Sequence, residues 1–246
     1  MPDIFEKLRP WLLQFIPRQC QVCFQDSDVN FEICSYCWED LPWLKDRCLR
    51  CGLRLDAPNE GQHCLKCQEH APYFDRYLGI LEYNGASKAW LSALKFSSKL
   101  GYARILGKIW AEGLRKVADY YRQTGDWIVP IPLHFRRWLS RGFNQSLELI
   151  KPSVQAYGFD LKSDFLIKTK HTQAQSSLSQ RAERLDNIQE GSFAIHKKYL
   201  NSRMPERLIL VDDVMTTGKT VNACAKMLKE ANLGIEYIEI WTLFRA

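Results

Sequence analysis

Eight of the nine cysteines in this chain fall in four CxxC pairs, Cys20/Cys23, Cys34/Cys37, Cys48/Cys51 and Cys64/Cys67, all ahead of residue 68. In such a pair the two intervening residues make a tight turn that faces both sulfurs toward one ion, and two pairs close a tetrahedral structural zinc site. Four pairs therefore predict Zn2+ in one or two structural sites. Short spacers favour consecutive pairing, although cross-bracing of the first pair with the third satisfies the same ligand count, and His63 beside Cys64 is an alternative donor. A disulfide network needs an oxidising compartment, for which the sequence carries no address. The Met1 to Pro17 segment sets Asp3 and Glu6 among apolar residues and has no apolar run longer than Trp11 to Leu13. That is too short for a secretory signal or a membrane span. The expected compartment is the cytoplasm, without membrane insertion, and the amphipathic start is expected to pack on the protein's own surface.

A zinc module of this size has little core, so metal supplies much of its folding free energy. The cysteines are thus structural, and chelation is expected to unfold the N-terminal part while sparing the rest. Cys224 stands apart at helical spacing with Val221, Ala225 and Leu228, which reads as a small buried side chain.

After Cys67 the composition changes. Gln68 to Pro72 is a polar connector, so the organisation predicted is a helix and double-ribbon module over 1–70 and a larger domain over 71–246. With 46% hydrophobic residues the chain can bury a substantial core. Strand patterns at Tyr77 to Tyr83, Trp127 to Ile131, Arg207 to Val214 and Ile235 to Phe244 alternate with helical ones at Ala86 to Lys95, Tyr102 to Arg122, from about Asn144, and Thr220 to Ala231. Asp164 to Thr169 and Ser192 to His196 read as strands flanking a polar segment. This order predicts an α/β fold, a mostly parallel sheet flanked by helices.

The sharpest motif is LILVDDVMTTGKT, Leu208 to Thr220. An apolar strand runs into two carboxylates, Asp212 and Asp213, where open parallel sheets bind ligands. The turn that follows, Thr216, Thr217, Gly218, Lys219 and Thr220, can aim backbone N–H groups and hydroxyls at a phosphate. Paired carboxylates accept from a sugar diol, and Mg2+ can bridge diol and pyrophosphate. Phosphate donors beside diol acceptors describe a ribose 5-phosphate cradle.

This pattern resembles the signature of the type I phosphoribosyltransferases, which bind phosphoribosyl pyrophosphate (PRPP). The similarity extends to the ComF/GntX family over nearly the whole chain. It takes in the CxxC pairs, Leu94 to Phe96 around Lys95, VPIPLH from Val129 with Arg136 and Arg137, and RGFNQ from Arg141. It continues through Thr172, Gln175, Leu178, Ser179, Arg184 and Asn187. Where many members carry arginines ahead of Thr172, this chain has Lys168 and Lys170, which keep the charge but lack the guanidinium fork.

The resemblance implies a type I phosphoribosyltransferase fold, with Pro130 to Gln145 as the pyrophosphate loop and Lys168 to Glu190 as a hood that excludes water from the reactive anomeric carbon. It implies that Asp212, Asp213 and Arg141 serve the chemistry. Arg136, Arg137 and Lys95 complete the pyrophosphate side. It also implies a link to natural transformation, with single-stranded DNA and DNA-processing proteins as partners. The formal net charge of +6 and aromatics such as Trp38, Trp43 and Tyr73 are compatible with strand binding. A catalytic phosphoribosyltransferase and a non-catalytic PRPP sensor both fit these residues. No residue names the acceptor.

Overall fold

The computed structural model describes residues 19–26, 33–55, 63–96, 100–133, 139, 142–169 and 192–246. The chain divides into two compact units, Met1–Pro42 and Trp43–Ala246. In the first, the Cys20 to Cys23 turn is closed by Phe24 N–H donating to the Cys20 carbonyl and Cys20 N–H to that of Gln25. A short helix, α1 (Ser35–Glu39), follows with Cys34 as its N-cap.

The second unit repeats this arrangement. Gly52 N–H donates to the Cys48 carbonyl, Cys48 N–H to that of Leu53, and α2 (Leu65–Glu69) starts from Cys64. The residue after each turn is left-handed, φ 60° at Phe24 and 69° at Gly52. Only glycine serves at position 52, because a Cβ there would stand 2.2 Å from the Tyr77 ring.

The larger unit continues through β1 (Arg76–Glu82), α3 (Gly85–Phe96), α4 (Leu100–Leu114), α5 (Ala118–Thr124), β2 (Trp127–Pro130), α6 (Gln145–Tyr157), β3 (Asp160–Leu161), β4 (Leu166–Lys168), β5 (Phe193–Ile195), β6 (Arg207–Met215), α7 (Lys219–Glu230) and β7 (Tyr237–Arg245). Five strands form one sheet in the order β1-β7-β6-β2-β3, with every neighbouring pair parallel. The central strands are buried on both faces, which is why Leu208 to Val211 form an unbroken apolar run. On one face Leu208, Leu210, Ile238 and Ile240 share a core with Val221, Cys224, Ala225 and Leu228 of α7. Helices α4 and α6 pack on each other.

Three details differ from the sequence pattern. The single helix expected over Tyr102 to Arg122 ends at Leu114 and restarts at Ala118. The restart lets the Tyr121 hydroxyl donate to the buried Glu239 carboxylate at 2.7 Å. Strands β4 and β5 leave the main sheet and pair antiparallel with each other.

The third detail concerns organisation. The composition changes near residue 70, whereas packing divides the chain after Pro42. The reason is the exposed side of β1, the outermost strand of the sheet. Leu44 N–H donates to the Ile80 carbonyl, Tyr77 N–H donates to the Leu49 carbonyl, and Trp43 bridges Leu81. Arg47 forms an ion pair with Glu82. The second cysteine module thus satisfies backbone groups that an edge strand otherwise leaves open. Among the described residues no helix is long and apolar enough to cross a membrane.

Candidate functional site

Two groups of four thiols are the first candidate centres. Cys20, Cys23, Cys34 and Cys37 form one and Cys48, Cys51, Cys64 and Cys67 the other, each with its sulfurs within 4.8 Å of one another. Consecutive pairs are therefore joined, and His63 belongs to neither group. Ligands at about 2.3 Å from a tetrahedral ion stand roughly 3.8 Å apart. The Cys23 and Cys34 sulfurs are 3.8 Å apart, and those of Cys51 and Cys64 3.5 Å.

The electrostatics of these thiols suit a cation. Burial pushes the Cys48 thiol up, but main-chain hydrogen bonds from Cys64, Cys51 and Arg50 outweigh it and bring it down to about 7. Burial and the neighbouring Cys48 charge instead raise Cys51 to about 11. Cys20 likewise falls to about 6 as main-chain donors overcome burial, while burial and adjacent sulfurs raise Cys37. Cys20 and Cys48 thus ionise readily, whereas Cys37 and Cys51 need a neutralising ion to do so, which is the demand that structural Zn2+ meets.

The second candidate centre lies at the carboxyl edge of the sheet. Strand β6 delivers Asp212 and Asp213 there, Asp213 largely buried. The Asp212 carboxylate accepts from the Ser146 hydroxyl at 3.0 Å and from Asp213 N–H at 2.9 Å. Asp213 accepts from Val214 N–H at 2.8 Å. Both carboxylates are fixed by local donors, so their orientation is set before any ligand arrives.

Thr216 and Thr217 follow on an exposed turn that leads through Gly218 to Lys219 and Thr220 in the first turn of α7. Gly218 sits at φ 76°. A Cβ there would meet nothing closer than the Met215 sulfur at 3.6 Å, so the left-handed backbone and not lack of space makes glycine the right residue. Beneath this edge Cys224 is fully buried. Burial, then the Asp212 charge, pushes its thiol well up, while Lys168 moderates the rise. Cys224 is packing and not a nucleophile.

The loop expected to hold pyrophosphate leaves the sheet at Ile131, next to β6. Arg136, Arg137 and Arg141 lie outside the described residues. The base of their loop is described. Asn144 caps α6 by accepting from Ser146 N–H at 3.1 Å and Leu147 N–H at 3.5 Å. Its amide also donates to the Ile131 carbonyl at 3.0 Å, tying the end of the loop to its beginning.

Asn144→Ala is expected to cost about 1–2 kcal/mol in urea denaturation, the usual value of a lost N-cap plus the lost closure. Asn144→Asp keeps the cap but cannot donate to Ile131, and its loss should be smaller.

Lys95 lies in α3, but its side chain is outside the described residues. Lys168 ends β4, with its ammonium 5.1 Å from the Phe193 ring centroid. Lys170, Gln175, Ser179, Arg184 and Asn187, expected in the hood, are outside the described residues as well. The two ends of that segment meet, with Thr169 N–H donating to the Ser192 carbonyl at 2.9 Å.

Sequence reasoning missed two residues of this edge. Ser146 is an ordinary first-turn residue until α6 is placed against β6. Arg245, buried at 6% exposure, has the pattern of a strand end, yet its guanidinium reaches the main chain of Cys51, Met215 and Thr216.

Fold and sites together define a zinc-ribbon α/β protein with two carboxylates at the carboxyl edge of a parallel sheet. Residues 12–68 match the double zinc ribbon domain family. The chain is 30% identical over 216 residues to competence protein F of Haemophilus influenzae, covering 87% of this chain and 90% of that protein. It is 30% identical over 235 residues to DNA utilization protein YhgH of Escherichia coli, covering 94% and 98%. Competence protein ComFC of Streptococcus pneumoniae is 30% identical over 215 residues, 87% of each chain. The chain belongs to this family of competence F, ComFC and YhgH proteins.

Proposed function

We propose that the protein binds PRPP at the carboxyl edge of β6 and transfers its phosphoribosyl group to an acceptor with release of pyrophosphate. The observation that carries this reading is the run from two pre-oriented carboxylates, Asp212 and Asp213, through the exposed Thr216 and Thr217 to Gly218 and the start of α7. On this reading the carboxylates accept from the ribose hydroxyls. The main-chain N–H groups and hydroxyls of Thr216 to Thr220 hold the 5-phosphate. Arg136, Arg137 and Arg141, with Lys95, serve the pyrophosphate side.

Mg2+ suits the oxygen donors of the acidic pair and, bound with PRPP, would neutralise charge on the departing pyrophosphate. The bond from the anomeric carbon to pyrophosphate oxygen breaks as the acceptor's lone pair bonds to that carbon. Pyrophosphate leaves with the electron pair, and the acceptor's proton passes to solvent. The protein's part is to hold the ribose, stabilise the leaving group and exclude water.

The names of the relatives, which speak of competence and DNA utilization, support a second reading in which this chain handles DNA. On that reading the protein acts in the cytoplasm, with PRPP as a bound signal instead of a consumed substrate. Single-stranded DNA and DNA-processing proteins are the partners of that reading. The net charge of +6 supports it through phosphate contacts.

Isothermal titration with PRPP and Mg2+, alongside a pyrophosphate-release assay over a cell metabolite extract, separates the two. Binding with turnover supports transfer. Binding without turnover, together with salt-sensitive oligonucleotide binding, supports the signal reading. Binding of PRPP no tighter than ribose 5-phosphate would remove the pyrophosphate assignment.

A further inference from the structure

Arg245 connects two parts of the molecule that neither the zinc site nor the phosphate loop explains alone. Its Nε donates to the Cys51 carbonyl at 2.9 Å. Its Nη1 donates to the Met215 carbonyl at 3.0 Å and the Thr216 carbonyl at 2.7 Å. Cys51 is a member of the second four-thiol group, and Thr216 opens the proposed 5-phosphate loop. One buried side chain thus spans from a metal ligand's own peptide to the base of a ligand loop.

The geometry of the peptide bond gives this contact a directional effect. No peptide in the described chain is cis, and in a trans peptide the N–H points opposite to the carbonyl. Holding the Met215 and Thr216 carbonyls on Arg245 therefore turns the N–H groups of Thr216 and Thr217 away from it, and both threonines are exposed. The backbone of Arg245 is itself fixed, since it stands in register with Met215 across the β6–β7 pairing and Ala246 N–H donates to the Met215 carbonyl. Its reach is short and its orientation set. A buried guanidinium is also costly unless its donors are occupied, so the charge and its four carbonyls, that of Ala246 included, hold one another in place.

The structure assigns Arg245 as a positioning residue through which the backbone of the phosphate loop depends on the second cysteine group. Metal occupancy at Cys48, Cys51, Cys64 and Cys67 and ligand occupancy at Thr216 to Thr220 are then linked, each favouring the other. The ligand half of this linkage rests on the PRPP reading above; the positioning half does not. Lysine cannot replace the residue, since a single ammonium lacks the fork that serves Cys51 and the loop from opposite sides.

The test uses full-length, zinc-loaded protein and follows hydrogen exchange of the amides in Thr216 to Thr220, with the Leu208 to Val211 amides as an internal reference. In Arg245→Lys, at unchanged zinc content, loop exchange should rise about tenfold or more with the reference amides unaltered. Chelating the zinc with EDTA should raise wild-type loop exchange similarly and add less than about twofold in the variant.

Loop exchange equal to wild type in zinc-loaded Arg245→Lys would overturn the assignment, even if chelation unfolds the wild-type sheet. A second arm measures transfer of zinc to a chromophoric chelator. Saturating PRPP with Mg2+ should slow it about tenfold in wild type and leave Arg245→Lys unaffected. If PRPP fails to bind wild type while the exchange result holds, the positioning role stands and the ligand identity falls. If PRPP binds but zinc release is equally slowed in the variant, the coupling does not run through Arg245.

Discussion

Replacing Asp212 and Asp213 together with asparagine is expected to weaken binding of PRPP with Mg2+ by at least about 100-fold, roughly 3 kcal/mol. Each ribose hydroxyl would lose an ionised acceptor, and the cation would lose its hard oxygen donors. Stability without ligand should change little. The asparagine carbonyl oxygens can still accept from Ser146, Asp213 N–H and Val214 N–H, the donors that fix the native carboxylates, and two adjacent like charges disappear. Titration calorimetry and a melting curve on the same sample measure both quantities. A loss below tenfold would mean that the acidic pair does not hold the ribose.

Cysteine substitutions in the two thiol groups are expected to have unequal effects. Cys20→Ser with Cys23→Ser removes a site whose ligands belong to the smaller compact unit. The melting of the sheet should be preserved. Cys48→Ser with Cys51→Ser removes a site built into the larger unit, where the same turn carries the Leu49 carbonyl that β1 uses and the Cys51 carbonyl that Arg245 uses. The expected drop in the melting temperature of that unit is about 10 °C or more, corresponding to several kcal/mol in a domain of this size. This revises the expectation from sequence that metal loss would spare the α/β part. Calorimetry with zinc analysis of each variant decides the matter. Equal losses in the two variants would show that the second site is no more integrated than the first.

What could be read directly from the sequence was what is encoded locally. Leu208 to Val211 announce a strand buried on both faces, and Asp212, Asp213 and the turn after them mark its carboxyl end, because adjacent residues carry the whole signal. The CxxC spacing declares its chemistry the same way, and the helical pattern from about Asn144 located the start of α6.

What escaped depends on residues far apart in the chain. Arg245 acquires its role only once β7 is paired with β6 and the Cys48 to Cys51 turn is docked beside β1. Ser146 becomes a partner of Asp212 across a separation of 66 residues. Strand β3, only two residues long, has no periodicity to detect. The packing boundary after Pro42 was hidden because composition reports which residues are cysteine-rich, not which backbone groups they satisfy.

The position of β1 at the rim of the sheet carries a further consequence. Its outer hydrogen-bonding row is occupied by Leu44 and Leu49, neighbours of the second thiol group. A chain made without zinc would bare that row, and an open row of strand donors and acceptors is a template for another copy's strand. Metal starvation would then cost more than a missing module: newly made chains would adhere edge to edge, and zinc supply during synthesis would govern how much protein stays dispersed.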